Sequence, residues 1–212
     1  MTGGIKAIIF DLGNVLIDFD HRIAAKKISK LSGKSMDEIF MLFFDSPLTG
    51  LFEEGKISAQ DFFLKVKEML GLKITFEEFI PVWNGIFFLS EKNHAVYKMV
   101  QQLRDRYRIL LLSNINILHF AYIKEQFLVF EPFHHVVTSF DLKMRKPDPE
   151  IYQKALALLG TKAEETFYTD DRPELVSAAK QLGIRGFVFE GKEQLKKDLL
   201  SVGVKVGLDA GK

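Results

Sequence analysis

Asp11, Ser113-Asn114, Lys146 and the pair Asp170-Asp171 are the residues whose types and settings point to chemistry. Asp11 closes the apolar run Ala7-Ile-Ile-Phe10, and Asp170-Asp171 closes Phe167-Tyr-Thr. Adjacent carboxylates repel each other unless a cation or hydrogen-bond donors lie between them. Together with Asp11 they make a hard, all-oxygen donor set suited to Mg²⁺. The ammonium of Lys146 and the hydroxyl of Ser113 would then complement the charge on a bound anion. Taken singly, most of these residues have plainer explanations. Ser113 and Asn114 suit helix N-caps. Asp171-Arg-Pro-Glu174 fits a capping box with Pro in the first turn, and Lys146 before Pro147 suits a surface lysine at a helix start. The adjacent carboxylates are the hardest to explain away.

Such residues need a scaffold that brings them together. Short, Ile-rich or Leu-rich runs read as strands buried on both faces, which predicts strands at Ala7–Phe10 and Arg108–Ser113. Strands at 134–138, 166–170 and 185–189 alternate with helices at 148–159, 173–183 and 192–201. That pattern predicts an α/β fold, a doubly wound parallel (Rossmann-like) sheet, in which the polar strand ends share one edge and one crevice. Gly13 and Asn14, just past the first strand, are turn residues that accept φ > 0 at little cost.

Between the first two strands the periodicity turns helical. Ile23, Ala24, Ile28 and Leu31 keep helical spacing up to Gly33. Ser35 with Glu38 opens a helix through Ile39, Phe40, Phe43 and Phe44. Ser58 and Asp61 start another that ends at Gly71. Thr75 with Glu78 starts a fourth, holding Phe79, Val82, Trp83, Ile86 and Phe87. Residues 18–88 are therefore expected to be wholly helical, without a strand. They carry eleven of the 20 phenylalanines, as a packed unit would. The expected domains are an α/β core of 1–17 and 89–212 and a helical insertion of 18–88. A long helix from about Ser90 to Tyr107 leads back to the sheet.

A chain of 212 residues, 47% hydrophobic, can bury a sizeable core. Its formal net charge of +1 supplies no field for nucleic acid or an anionic membrane. No run approaches a membrane span, and nothing at the N-terminus marks export, so a cytoplasmic protein is expected. The absence of cysteine excludes disulfides, thiolate metal sites and a Cys nucleophile.

With all four polar stretches in this order, the chain resembles the haloacid dehalogenase (HAD) superfamily in its phosphatase branch. Asp11-Leu-Gly-Asn-Val corresponds to the first family motif and Leu112-Ser113-Asn114 to the second. Lys146-Pro-Asp-Pro corresponds to the third and Asp170-Asp171 to the fourth, and the insertion at 18–88 lies where the family carries a small helical cap. The form Phe-Asp-Leu-Gly-Asn-Val-Leu-Ile-Asp is similar to that of bacterial glucose-1-phosphatase-type enzymes. The resemblance implies a Mg²⁺-dependent phosphatase acting on a small phosphorylated metabolite, with Asp11 forming an aspartyl-phosphate. It implies Mg²⁺ held by Asp11, the Gly13 carbonyl and Asp170/Asp171, with Asp171 favoured as the direct ligand. It also implies phosphoryl oxygens held by Ser113, the Asn114 backbone and Lys146.

Two positions depart from the family pattern. Gly13 stands where a second Asp usually serves as general acid and base, and Leu175 stands where an Asn often supports the fourth motif. Without an acid, the leaving group must already be good, so sugar 1-phosphates are expected to be favoured over 6-phosphates. Asp18, Asp20 and His21 are the nearby candidates for a substitute acid. Rival readings are a metal-independent dehalogenase of the same superfamily, and a catalytically weak phosphate-binding regulatory module. The P-loop-like Gly186-Phe-Val-Phe-Glu-Gly191-Lys192 is set aside because its middle reads as a strand.

Overall fold

The computed structural model describes residues 4–44 and 46–206, and the side chains of 42–44 lie outside that description. Ala7–Phe10 forms β1, and all four of its residues are fully buried. It pairs in parallel with β4 (Arg108–Ser113) on one side and β6 (Thr166–Asp170) on the other, Phe10 lying opposite Leu111 and Thr169. With β5 (His135–Thr138) and β7 (Arg185–Val188) the sheet order is β5-β4-β1-β6-β7, all parallel. The first strand in sequence is thus the central one.

Alternate residues of each strand face opposite layers. Ile8, Phe10, Ile109, Leu111 and Phe167 pack with α6 (Glu91–Leu103), α7 (Ile117–Gln126) and α11 (Lys192–Ser201). Ala7, Ile9, Leu110, Leu112 and Tyr168 pack with α9 (Pro149–Leu159) and α10 (Pro173–Gln181). Helices therefore cover both faces, as the apolar runs predict. The short α8 (Ser139–Leu142) and a 3₁₀ turn at Ala163–Glu165 fill two connections.

Helices α1 (His21–Ser32), α2 (Met36–Phe44), α3 (Pro47–Glu53), α4 (Ala59–Leu70) and α5 (Phe76–Asn84) surround a separate apolar cluster. Phe52, Phe62, Phe79 and Trp83 are its largest fully buried members. The caps are those expected. Gly33 and Gly71 take left-handed conformations after α1 and α4, and Thr75 with Glu78 forms a capping box. Phe43 and Phe44, placed on the second helix by sequence, have side chains outside the described residues.

Residues 18–88 are not wholly helical, which corrects the sequence reading. Asp18–Phe19 (β2) pairs antiparallel with Phe87–Phe88 (β3), where the two chain crossings between core and insertion run side by side. Phe87 lies on this ribbon, not on α5. Two residues per strand are too few to display a period, so the pattern there could not announce itself. Helix α6 is also shorter than expected, ending at Leu103 instead of Tyr107. No helix of the described residues is long and apolar enough to cross a membrane.

Candidate active site

The turn after β1 places Asp11 at the carboxyl edge of the central strand. Asp11 N donates to Thr169 O at 3.0 Å, which carries the β1–β6 ladder one step beyond the strands. The chain then turns through Asn14, whose φ of 56° is left-handed. Gly13 does not take positive φ. Its lack of a side chain is required by space, because a Cβ there would lie 2.8 Å from Phe19 Cε1.

Helix α6 secures this turn from below. Lys92 Nζ donates to Asn14 O at 2.8 Å and to Asp18 Oδ1 at 2.6 Å, and Ser90 Oγ donates to Asp18 Oδ2 at 2.7 Å. Burial opposes the charge of Asp18, yet these donors hold its pKa below the usual carboxylate range. Asp18 is therefore a clamp on the chain crossing. Asp20 caps α1, accepting from Arg22 N at 2.9 Å. Neither Asp18 nor Asp20 is among the residues that line the cavity.

Lys146 reaches the floor of the site from the loop after α8. Its Nζ donates to Asp11 Oδ1 at 2.7 Å, to Asp170 Oδ2 at 2.6 Å and to Leu112 O at 3.0 Å. The surface-lysine reading fails, since Lys146 is only 2% exposed. Burial works against its charge, but Asp11 and Asp170 together hold its pKa above the ordinary lysine value. Asn114 fixes the loop that carries it, donating from Nδ2 to Lys146 O and accepting from Lys146 N on Oδ1, both at 2.9 Å. Its side chain thus acts on the lysine loop. Ser113 ends β4, buried and lining the site, and the N-cap of α7 is Asn116 instead.

Asp170 and Asp171 differ in setting. Asp170 is fully buried and accepts from Lys146, from the Tyr168 hydroxyl and, at 3.0 Å, from Arg172 N. Despite the burial, those donors lower its pKa. Asp171 accepts from Asn14 Nδ2 at 2.8 Å and faces the cavity, and burial raises its pKa. It does not cap α10, whose N-cap is Arg172.

Asp11, Asp170 and Asp171 each offer a carboxylate oxygen, all within 4.8 Å of one another. Burial pushes Asp11 up to about 7, and the charges of Asp170 and Asp171 add to that against the pull of Lys146. Three carboxylates against one ammonium leave a negative excess in a buried place. A hard divalent cation fits both the oxygen donors and that excess charge.

The cavity above is about 270 Å³ in volume. Asp11, Gly13, Ser113, Asn114, Lys146 and Asp171 all line it. Among the lining residues that sequence reasoning missed are Glu53, Phe19 and His119. His119 accepts or donates at both ring nitrogens, with Asn116 Nδ2 at 3.0 Å from Nδ1 and Trp83 O at 3.2 Å from Nε2. It stacks on Trp83 and is held neutral, burial pushing its pKa down to about 3. The only sequence signal for it was an isolated His in the turn after Asn116.

The family model for haloacid dehalogenase-like hydrolases matches residues 5–183. This chain belongs to that family and is a hydrolase. D-ribitol-5-phosphate phosphatase of Bacteroides thetaiotaomicron is 28% identical over 201 residues, covering 92% of this chain and 97% of the relative. A sesquiterpene phosphatase of Aspergillus oryzae is 26% identical, covering 88% and 90%. Among solved structures, a HAD family enzyme from Bacteroides thetaiotaomicron, in complex with magnesium and inorganic phosphate, superposes with a TM-score of 0.78. It is 26% identical, and the match covers 98% of each chain. The α/β fold of this chain is that of a HAD-family hydrolase.

Proposed function

We propose that this hydrolase is a Mg²⁺-dependent phosphatase that cleaves small phosphorylated metabolites, with sugar 1-phosphates favoured, through an aspartyl-phosphate on Asp11. The observation that carries the reading is the cluster of Asp11, Asp170 and Asp171, bridged by one buried Lys146 beneath a small cavity. The magnesium–phosphate complex of the Bacteroides relative and the relatives named as phosphatases support it.

Asp11, the Gly13 carbonyl and Asp171 would hold Mg²⁺, with Asp170 direct or through water, and the bound cation would screen the phosphoryl charge from the nucleophile. A carboxylate oxygen of Asp11 attacks phosphorus as the bond to the leaving alcohol breaks. Water then attacks phosphorus, the bond to Asp11 breaks, and phosphate leaves. Ser113 Oγ and the Asn114 backbone N–H would hold phosphoryl oxygens through both steps, and Lys146, whose three protons go to Asp11, Asp170 and Leu112 O, would add its charge beside them. Asp170 keeps Lys146 charged and in place. The dehalogenase alternative gives the Asp171–Asn14 pair no task.

Residues 18–88 act as a cap over the core of 1–17 and 89–212. Their own apolar cluster and the β2–β3 crossing support this, as do contacts that close them onto the lysine loop. Ser139 Oγ donates to Glu53 O at 2.6 Å and Lys143 Nζ to Gly55 O at 2.7 Å, while Arg145 pairs with Glu53 and Glu54. A panel of sugar and polyol phosphates, assayed with Mg²⁺ and with EDTA, tests the proposal. Mg²⁺-dependent phosphate release is expected. Turnover that survives chelation, or halide release from 2-haloacids instead, would contradict it.

A further inference from the structure

Of the carboxylates that line the cavity, Asp11 and Asp171 belong to the oxygen cluster suited to Mg²⁺, and Glu53 stands outside it. The charges that weigh most on Asp11 are those of Lys146, Asp170 and Asp171, whereas Arg145 and Arg172 weigh most on Glu53. This sets Glu53 apart from the phosphoryl end, where the alcohol part of a substrate would lie. Phe19, Phe87 and Leu175 line the cavity as well and suit a carbon skeleton.

The backbone at Glu53 is fixed. Glu53 is the last residue of α3, and its carbonyl accepts from Ser139 Oγ at 2.6 Å. Ser139 is fully buried, and the same hydroxyl accepts at 2.9 Å from Ile115 N, two residues past Ser113. Gly55 follows with a φ of 58°, and a Cβ there would lie 2.5 Å from Phe140 O. The end of α3 is thus packed closely on α8.

The carboxylate of Glu53 is held but not used up. Arg145 Nη1 meets its Oε2 at 3.4 Å, long for a hydrogen bond, and the side chain remains 26% exposed. Two oxygens give a carboxylate about four acceptor sites, so this contact leaves room for a substrate hydroxyl. Burial raises the pKa of Glu53 against the pull of the two arginines, and in either protonation state an oxygen remains to accept. An alcohol without hydroxyls would cover those sites and leave them unpaired, which costs binding.

We infer that Glu53 is a specificity-determining residue, accepting a hydrogen bond from a hydroxyl of the substrate's alcohol and so selecting sugar and polyol phosphates over phosphates of apolar alcohols. The inference rests on the phosphatase reading above, since it takes the phosphate to lie at Asp11. Glu53 has no part in the chemical step, so its loss should spare a substrate that offers it no hydroxyl.

Phosphate release by the Mg²⁺-loaded parent, Glu53→Ala and Glu53→Gln, measured with glucose 1-phosphate and with phenyl phosphate, tests this. Phenyl phosphate carries no hydroxyl on its alcohol part. Glu53→Ala should lower kcat/KM for glucose 1-phosphate by about 10–10²-fold, mainly through KM, and keep or raise that for phenyl phosphate. Glu53→Gln, whose amide oxygen still accepts, should fall between the parent and Glu53→Ala on glucose 1-phosphate. A residue that only supports the fold would lower both substrates alike. An unchanged ratio of the two kcat/KM values in both variants therefore overturns the assignment. So does a parent that hydrolyses phenyl phosphate and not glucose 1-phosphate. A parent that releases phosphate from neither would instead defeat the phosphatase reading itself.

Discussion

Lys146 and Asp11 lie 135 residues apart in sequence and meet at 2.7 Å, the lysine side chain 1% exposed. The same ammonium touches Asp170 at 2.6 Å, so one cation neutralises part of two buried carboxylates, one just past β1 and one ending β6. Its removal leaves both uncompensated. Lys146→Ala is expected to lower kcat/KM by about 10²–10³-fold, since it withdraws a fixed charge from a water-poor site. It should also cost about 3–5 kcal/mol of stability, as breaking a buried ion pair does. Steady-state kinetics and urea unfolding check both. Lys143→Ala removes the bond to Gly55 O, away from Asp11 and Asp170, and should act mainly on KM. Equal losses of kcat in the two variants would show that Lys146 is not at the chemistry.

Asn14 holds Asp171 through a 2.8 Å hydrogen bond while accepting from Lys92 on its own carbonyl. Partners that orient metal ligands are typically worth about 10–100-fold in metal affinity. Asn14→Gly keeps the left-handed backbone and removes the bond. It should weaken Mg²⁺ binding by about that factor, with activity recovered at saturating Mg²⁺. Titration calorimetry of Mg²⁺ against both proteins reads this, and an unchanged affinity would remove Asn14 from the site.

His119 sets a pH dependence of stability whose sign is fixed by its burial. Its folded pKa of about 3 lies below the ordinary histidine value of 6.5, so the unfolded chain binds the extra proton between them. The stability it contributes is complete above pH 6.5 and is lost as pH falls toward 3, at a slope approaching 1.4 kcal/mol per pH unit. His21 adds a loss of the same sign over the range from 6.5 to about 4. The urea midpoint should therefore drop from pH 7 to pH 4, and His119→Gln should flatten that drop. A parallel drop in the variant would mean that other groups carry it.

Phe19 and Gly13 exclude each other's alternatives. Gly13→Asp alone forces the Phe19 ring aside and should destabilise the fold by about 1–3 kcal/mol. Gly13→Asp with Phe19→Ala makes room for a general acid. In the parent, kcat/KM for glucose 1-phosphate should exceed that for glucose 6-phosphate. The double variant should narrow the gap, because acid catalysis helps the poorer leaving group by up to roughly 10²-fold. A parent that prefers the 6-phosphate would refute the leaving-group argument.

The sheet was legible because each strand is an apolar run buried on two faces, and β4, β6 and α11 fall where those runs predict. Helices α1, α4 and α5 were legible from their caps. Helix α3 was not read, although Ser46 caps it and Pro47 stands at its first position, because seven residues give too few turns to show a period. The four polar stretches converge as parallel-strand ends must. What the sequence withheld are contacts made across the fold. The bond from Lys143 to Gly55 O, the clamp of Asn114 on Lys146 and the ring of Phe19 over Gly13 depend on tertiary packing. No local spacing encodes those contacts.

If Asp11 is the nucleophile of a Mg²⁺-dependent phosphatase, turnover requires its carboxylate. Phosphate release from glucose 1-phosphate by Asp11→Asn, beside the parent at saturating Mg²⁺, tests it most directly. A neutral amide is a poor nucleophile and a poor ligand for a hard cation, so turnover should fall to background while the fold persists. Near-parental release by purified Asp11→Asn would exclude Asp11 as the nucleophile.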